Sequence, residues 1–301
     1  MRTLFLFIDG LGIRAPAPDN PVTAAICPTI YHLISEQAVP IDACLGVPGL
    51  PQSATGQTTM FTGVNASQYM GRHVEGFPGP SLRTLIVSSN LLLTLTQQGQ
   101  RVCFANGYYV ESVEEIRARR FKSVTTVMGL TCPQIFCLRE HLLANQAVFH
   151  DITRASMRER GYTGALVTPQ QAAEHLIQIA LAHDFTLFEF FQSDLAGHSR
   201  NFGEAAETLA LLDAFLTPVF AMAREQEILV VLTSDHGNIE SILASGHTTN
   251  PVPLIATGPG AEQMLQGATS LLDITPRLLS ITGTQKPANQ AWLGDTVCPQ
   301  I

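Results

Sequence analysis

Three apolar runs in this chain each end at an acidic loop. Leu4-Phe-Leu-Phe-Ile8 runs directly into Asp9-Gly10, Phe185-Thr-Leu-Phe-Glu-Phe-Phe191 precedes Asp194, and Ile228-Leu-Val-Val-Leu232 precedes Asp235-His236. Short, nearly continuous apolar runs of this kind read as strands buried on both faces, the condition of a sheet covered by helices on either side. In open α/β sheets, ligands gather beyond the carboxyl ends of the strands. A carboxylate at the end of each of three strands is therefore a constraint on both fold and chemistry.

The surrounding residues sharpen it. Three segments, Phe191-Gln-Ser-Asp194-Leu-Ala-Gly-His198, Thr233-Ser-Asp235-His236-Gly-Asn238 and Gly246-His247-Thr-Thr-Asn-Pro251-Val-Pro253, supply two carboxylates and three imidazoles, and Asp9 adds a third carboxylate. A single strand-end Asp commonly forms a turn or caps a helix. Six such groups, all in Gly-adjacent loops, exceed what one cation needs and point to a metal site. Asp194 and His198 are four residues apart, so one helical turn would place both on the same face.

Strand and helix signals alternate along the chain, as in a doubly wound α/β sheet. A helix is predicted over 23–37, with Ile26, Ile30, Leu33 and Ile34 on one face. Thr168-Pro169-Gln170-Gln171 combines a capping Thr, Pro at the first helical position and Gln at the capping-box position, which starts a helix running to about Ala182. Another helix is predicted from about Gly203 to Glu225, kinked or broken near Pro218. Pro253–Thr257 reads as a strand, and Asp273-Ile-Thr-Pro276 opens a helix through about Ile281. The segment 71–168 differs: it holds the turn-rich Gly76-Phe-Pro-Gly79-Pro80 and the basic cluster Arg117-Ala-Arg119-Arg120-Phe-Lys122. The expected organisation is a catalytic core of residues 1–70 and 169–301 with 71–168 inserted as a small cap or substrate-binding region, the alternative being an extension of the same sheet.

Composition narrows the function classes. The net charge of -8 argues against a general nucleic-acid or anionic-membrane surface. No apolar segment of 18 residues suggests a transmembrane helix, and the first apolar run is too short for a signal sequence, so a cytoplasmic protein is expected. Six cysteines, at 27, 44, 103, 132, 137 and 298, form no C-x-x-C pair and suggest neither a zinc ribbon nor a disulfide framework. Nothing in the sequence sets an oligomeric state.

One further loop, Leu50-Pro51-Gln-Ser53-Ala-Thr55-Gly56-Gln57-Thr58, places several hydroxyls just before a helical pattern. A helix N-terminus attracts anions. One hydroxyl would serve as a plain cap; a metal-bound Ser or Thr would instead be an activated nucleophile.

Asp9, Ser53-Ala-Thr-Gly56, Asp194-x-x-Gly-His198, Asp235-His236-Gly-Asn238 and His247-Thr-Thr-Asn-Pro-Val-Pro253 together resemble the metal-binding motifs of the alkaline phosphatase superfamily. The resemblance is to its branch of cofactor-independent phosphoglycerate mutase and phosphopentomutase, and it covers roughly residues 1–70 and 185–285. It implies a three-layer αβα core with a mostly parallel central sheet, and two divalent cations, Mn²⁺ or Zn²⁺, which suit mixed carboxylate and imidazole donors. It also implies Asp194, His198 and His247 on one ion, and Asp9, Ser53, Asp235 and His236 on the other, with Ser53 as nucleophile in preference to Thr55. The implied activity is phosphoryl transfer on a small phosphorylated metabolite through a phosphoserine, as a phosphatase or phosphomutase. The chain departs from the family pattern at Gly56-Gln57, where relatives carry Gly-His. It also lacks the Cys/Ser-x-Pro-x-Arg loop of sulfatases and a recognisable arginine-rich substrate domain. Arg72, His73, Arg83 and Asn106 are the candidate substrate contacts. A phosphodiester or phosphonate hydrolase, or a non-catalytic metal-binding protein, are the alternatives.

Overall fold

In the computed structural model, which describes residues 1–282, the first apolar run lies in the middle of a seven-stranded sheet. The strands are β1 (Thr3–Ile8), β2 (Val39–Ile41), β3 (Val102–Gly107), β4 (Phe136–Cys137), β5 (Phe185–Phe190), β6 (Leu229–Thr233) and β7 (Val252–Thr257). Their order across the sheet is β2-β7-β6-β1-β5-β3-β4. The block β4, β3, β5, β1 and β6 is parallel, β7 runs antiparallel to β6, and β2 antiparallel to β7.

The register decides where the chemistry goes. Ile8 pairs with Phe190, and Phe7 with Thr233. The three strands that carry Asp9, Asp194 and Asp235 are thus adjacent, parallel and nearly in step, so their carboxyl ends open onto one edge of the sheet.

All six residues of β1 are buried, and they alternate between two cores. Leu4, Leu6 and Ile8 face a cluster containing Leu209, Leu212 and Phe215 of the helix Phe202–Glu225. Phe5 and Phe7 face the opposite cluster, where both rings meet Phe61 of the helix Ser53–Thr62 at 5.9 and 5.7 Å and at 71° and 89°. Edge-to-face packing of this kind adds to the roughly 1.5–3 kcal/mol that burying each ring contributes. Helices on both faces of a mostly parallel sheet complete the three-layer αβα core.

Several local expectations are met with corrections. The helix Pro169–Ala182 starts as its sequence implies: the Gln171 backbone N–H donates to Thr168 Oγ1 at 3.2 Å, and the Thr168 N–H donates to Gln171 Oε1 at 3.0 Å. The helix expected over 23–37 is shorter. It begins at Pro28, where the missing N–H costs nothing in the first turn, and ends as a π-helical turn over Leu33–Gln37. Phe202–Glu225 is one helix, not broken at Pro218; burial of the flanking Phe215, Leu216, Val219 and Phe220 outweighs the roughly 3 kcal/mol that an interior Pro costs. That helix is long and apolar enough to cross a membrane by length and composition, yet its apolar side packs on the sheet and on Pro169–Ala182.

The segment 71–168 is not a separate cap. Its β3 and β4 are hydrogen-bonded into the central sheet beside β5, because Val102-Cys-Phe-Ala and Phe136-Cys137 bury apolar side chains on both faces. The segment nevertheless supplies much of a cavity wall at the sheet edge, from the end of β3 at Phe104–Tyr108 and from loops around Phe77, Arg119–Ser123 and Phe149. Among the described residues the five cysteines are free thiols; Cys298 lies outside the described residues.

Candidate metal centre

Asp9 leaves β1 through Gly10, whose φ of +73° and close approach to Asp194 exclude a side chain: a Cβ there would lie 2.9 Å from Asp194 Oδ1. The Ser193 hydroxyl donates to the Asp9 carbonyl at 2.6 Å, which ties the ends of β1 and β5 together. Asp194 and His198 sit on one face of the short helix Gln192–Ser199, with Asp194 Oδ2 3.3 Å from His198 Nε2. Past β6, Asp235 and His236 are completely buried. The loop holding them is fastened by Ser234 Oγ, which accepts from the Leu11 N–H and donates to the His236 carbonyl, both at 2.9 Å.

Ser53 is the first residue of the helix Ser53–Thr62, with Gln52 in extended conformation before it. Its Oγ lies 3.0 Å from His236 Nε2. Gly56 lets this helix approach: a Cβ at that position would stand 2.8 Å from the Asp235 carbonyl oxygen.

Two sets of donor atoms converge. Asp194, His198 and His247 form one, and Asp9, Asp194 and His236 form the other, each set lying within 4.8 Å. Asp194 belongs to both, whereas the family resemblance implied it on one ion only. In the first set His198 Nε2 and His247 Nε2 are 3.0 Å apart. In the second His236 Nε2 is 3.3 Å from Asp9 Oδ1, and Asp235, outside both sets, has its Oδ2 3.5 Å from the same nitrogen. His236 and His247 stack with ring centroids 3.6 Å apart and planes 13° from parallel. His247 Nδ1 is 2.8 Å from the Pro51 carbonyl; since a carbonyl only accepts, Nδ1 donates, and the Nε2 lone pair is turned toward the site.

These residues fit divalent cations. Asp9 Oδ1, both Asp235 carboxylate oxygens and His236 Nδ1 are buried without a hydrogen-bond partner among the described residues. Burying carboxylate charge with no donor is costly, and a cation removes that cost. The titration directions agree. Burial pushes the Asp9 carboxyl well above the usual carboxylate range, and the Asp235 charge adds to the rise. Burial likewise raises Asp235, opposed by His236. For His236 burial resists charging, but Asp235, Asp9 and Asp194 together carry it up to about 10, while burial and the neighbouring His236 bring His247 down to about 4. Without cations these shifts favour protons on Asp9 and His236 and leave the His247 electron pair free, so that cation binding at the first two displaces protons, the coupling of pH to metal affinity typical of such sites.

Glu240 organises the edge from behind. It is completely buried, and its Oε2 accepts from the Gly12 N–H at 3.0 Å and the Asn238 N–H at 2.8 Å. Its Oε1 accepts from the Thr248 hydroxyl at 2.5 Å and the Asn250 amide at 3.0 Å. One carboxylate thereby joins the loop after β1 to both ends of the loop between β6 and β7. Asn238 in turn donates its amide to Asp194 Oδ1 at 2.7 Å.

A cavity of about 530 Å³ opens onto the cluster at Asp9, Ser53 and Asp194. Of the candidate substrate contacts, Arg72 and His73 lie instead in a separate cleft with Gln52. His73 has both ring nitrogens engaged, Nδ1 with Ser67 Oγ at 3.1 Å and Nε2 with the Val47 carbonyl at 3.0 Å. Arg83 donates to the Pro78 carbonyl and does not reach the cavity. Asn106 does line it, but its amide is spent on β5: Nδ2 donates to the Glu189 carbonyl at 2.7 Å and Oδ1 accepts from the Glu189 N–H at 2.8 Å. The arginines that line the cavity are Arg119 and Arg160.

Glu189 and Glu240 escape the sequence reading. A lone Glu inside the apolar β5 run was its own signal, since a charge in a doubly buried strand needs a reason. Glu189 faces the cavity, accepts from the Thr125 hydroxyl at 2.6 Å, and is pushed by burial up to about 7, the Thr125 bond opposing the rise and Asp235 adding to it.

A family model described as the metalloenzyme superfamily matches residues 1–286 of this chain. The 2,3-bisphosphoglycerate-independent phosphoglycerate mutase of Acetivibrio thermocellus is 34% identical over 112 residues, which are 35% of this chain and 22% of that protein. Its counterpart in Cereibacter sphaeroides is 30% identical over 123 residues, 38% of this chain and 24% of that protein. The aligned segments therefore span less than a quarter of those relatives. Among solved structures, the alkaline phosphatase of the Antarctic bacterium TAB5 superposes with a TM-score of 0.56 at 14% identity, covering 94% of this chain and 99% of that one. A lipoteichoic acid synthase of Listeria monocytogenes gives 0.54 at 10% identity over 94% and 72%. At these identities the structural likeness is one of fold. The chain belongs to the metalloenzyme superfamily, as an enzyme of alkaline phosphatase-like fold related to the cofactor-independent phosphoglycerate mutases.

Proposed function

We propose that this chain transfers the phosphoryl group of a small phosphate ester by way of a phosphoserine at Ser53, in a centre of two divalent cations, Mn²⁺ or Zn²⁺. The observation that carries this reading is the position of Ser53: its Oγ is 3.0 Å from His236 Nε2, beside the donor set Asp9, Asp194 and His236 and at the wall of the cavity.

Bound cations supply a lowered hydroxyl pKa and neutralisation of phosphate charge. The chain supplies placement. Ser53 stands in the first turn of a ten-residue helix, where free backbone N–H groups favour an anion. Ser53 Oγ gives up its proton and forms a bond to phosphorus as the bond to the ester oxygen breaks; that oxygen takes up a proton, and the alcohol leaves into the cavity. Attack of water on phospho-Ser53 then gives inorganic phosphate, a phosphatase outcome; attack by another hydroxyl of the substrate gives a relocated ester, a mutase outcome.

The test is phosphorus NMR of Mn²⁺- or Zn²⁺-loaded protein with a panel of phosphate monoesters and diesters, beside Ser53→Ala, together with mass spectrometry of the acid-quenched protein. Wild-type turnover of monoesters with a phosphate adduct on Ser53, both lost in Ser53→Ala, is the expected result. Equal turnover by Ser53→Ala overturns the phosphoserine route. Preferential cleavage of diesters moves the activity to a phosphodiesterase.

A further inference from the structure

The cavity above Ser53 is built of rings. Phe77, Phe104, Tyr108, Phe121, Phe149 and Phe191 all line it, and they come from five separate parts of the chain, so no single apolar run accounts for them. Phe77 and Phe121 stack on each other, with centroids 5.4 Å apart and planes 26° from parallel, while remaining 51% and 59% exposed. They form a solvent-facing apolar rim. On the far wall His150 stacks on Phe191 with centroids 5.0 Å apart, and burial lowers its pKa, which favours the neutral ring. Arg119 lies over the Tyr108 ring at 5.3 Å.

The polar groups of the same cavity are mostly committed to the protein. The Asn106 amide holds β5. Tyr108 OH and Thr126 Oγ1 are 2.8 Å apart, and Ser123 Oγ and Thr126 Oγ1 2.9 Å. His150 Nδ1 and Gln192 Nε2 are 3.0 Å apart. A polyhydroxylated ester would need a partner for each of its hydroxyls, since unmet hydrogen bonds on burial are costly. A flat apolar group needs faces and edges of rings, and these are what the walls offer.

Resting on the phosphoserine reading, we propose that the preferred substrate is a phosphate monoester whose alcohol carries a planar aromatic ring, the phosphate at Ser53 and the ring among the cavity aromatics. Arg119 and Arg160 form no ion pair among the described residues. They stand at the cavity to stack on such a ring or to meet a polar substituent.

The test compares benzyl phosphate with propyl phosphate, two esters whose leaving alcohols are similarly basic, so that intrinsic reactivity does not mimic recognition. In parallel, calorimetry with the Mn²⁺-loaded protein compares benzylphosphonate with propylphosphonate, which bind without reacting. Phe77→Ala and Phe121→Ala change exposed rim residues, and Tyr69→Ala changes an exposed ring outside the cavity. The expected result is a benzyl preference of about tenfold or more in both assays, reduced about tenfold by either rim variant and kept by Tyr69→Ala. Turnover of both esters without preference, or a preference that both rim variants retain, overturns the aromatic-substrate inference and leaves phosphoryl transfer standing. If neither ester reacts, the phosphonates decide: tighter benzylphosphonate binding supports the ring site while phosphoryl transfer on these esters fails, and equal or absent binding overturns the ring site.

Discussion

Gln57 donates its side-chain amide to Asp9 Oδ2 at 3.1 Å. Both residues are buried. The contact occupies one carboxylate oxygen and leaves Oδ1 directed at His236 Nε2, 3.3 Å away. Gln57 thus holds the ligand in orientation from behind. Gln57→Leu keeps the approximate volume and removes the donor, so Mn²⁺ affinity measured by calorimetry should fall about 10–100-fold, the usual cost of losing such a support. An unchanged affinity would show that Asp9 is held by its backbone alone.

Asp235 presents a different balance. Both its oxygens are buried without a donor among the described residues, so its charge is a burden on the metal-free fold. Asp235→Asn should raise the stability of chelator-treated protein by about 1–3 kcal/mol while lowering metal affinity. Urea denaturation with and without Mn²⁺ reads both effects. Loss of stability in the chelated protein would count against the cation reading of this carboxylate.

Glu240 is buried behind the cluster, and four donors from two loops, the one after β1 and the one joining β6 to β7, end on it. Glu240→Ala leaves those buried donors unmatched and should destabilise the fold by about 3 kcal/mol. Thr248→Val removes one contact and should cost about 1 kcal/mol. The ordering of the two denaturation midpoints checks this, and reversal would mean that the loops are held elsewhere.

Glu189 gives the pH dependence. Its folded pKa, pushed by burial to about 7, lies above the ordinary 4.5. Between those values the folded protein keeps a proton that the unfolded chain has lost, so stability falls as pH rises through about 4.5–7. The fall is up to about 3 kcal/mol. Glu189→Gln retains an acceptor for Thr125 and should flatten that slope, measured by urea denaturation of chelated protein at pH 5 and pH 8. The same slope in both proteins would assign it to other groups.

The sequence by itself determined the strand ends and the acidic and imidazole side chains that gather beyond them. Apolar runs at Leu4–Ile8, Phe185–Phe190 and Leu229–Leu232 can be satisfied only by burial on both faces, and the Asp, His and Gly residues after them are short-range patterns that survive without knowledge of the fold. The capping box at Thr168 and Gln171 was legible for the same reason: its hydrogen bonds span three residues. The extent of the sheet was not legible. β3 and β4 look like part of an insertion until β5, some eighty residues after β3, provides the edge on which β3 pairs, with β4 in turn on β3.

Tertiary structure alone decided which polar residues line the cavity beside Ser53. Arg72, His73 and Arg83 follow Ser53 closely in sequence, but His73 is bonded to Ser67 and Val47, Arg83 to Pro78, and Arg72 lies with His73 in a separate cleft. Glu189, Arg119 and the rings from Phe77 to Phe191 meet because strand order and helix packing bring distant segments to one edge. Metal ligands announce themselves through residue type, since few side chains can do that chemistry. A substrate wall is made by shape and by which hydrogen bonds are already spent, and both arise from contacts between residues far apart in the chain.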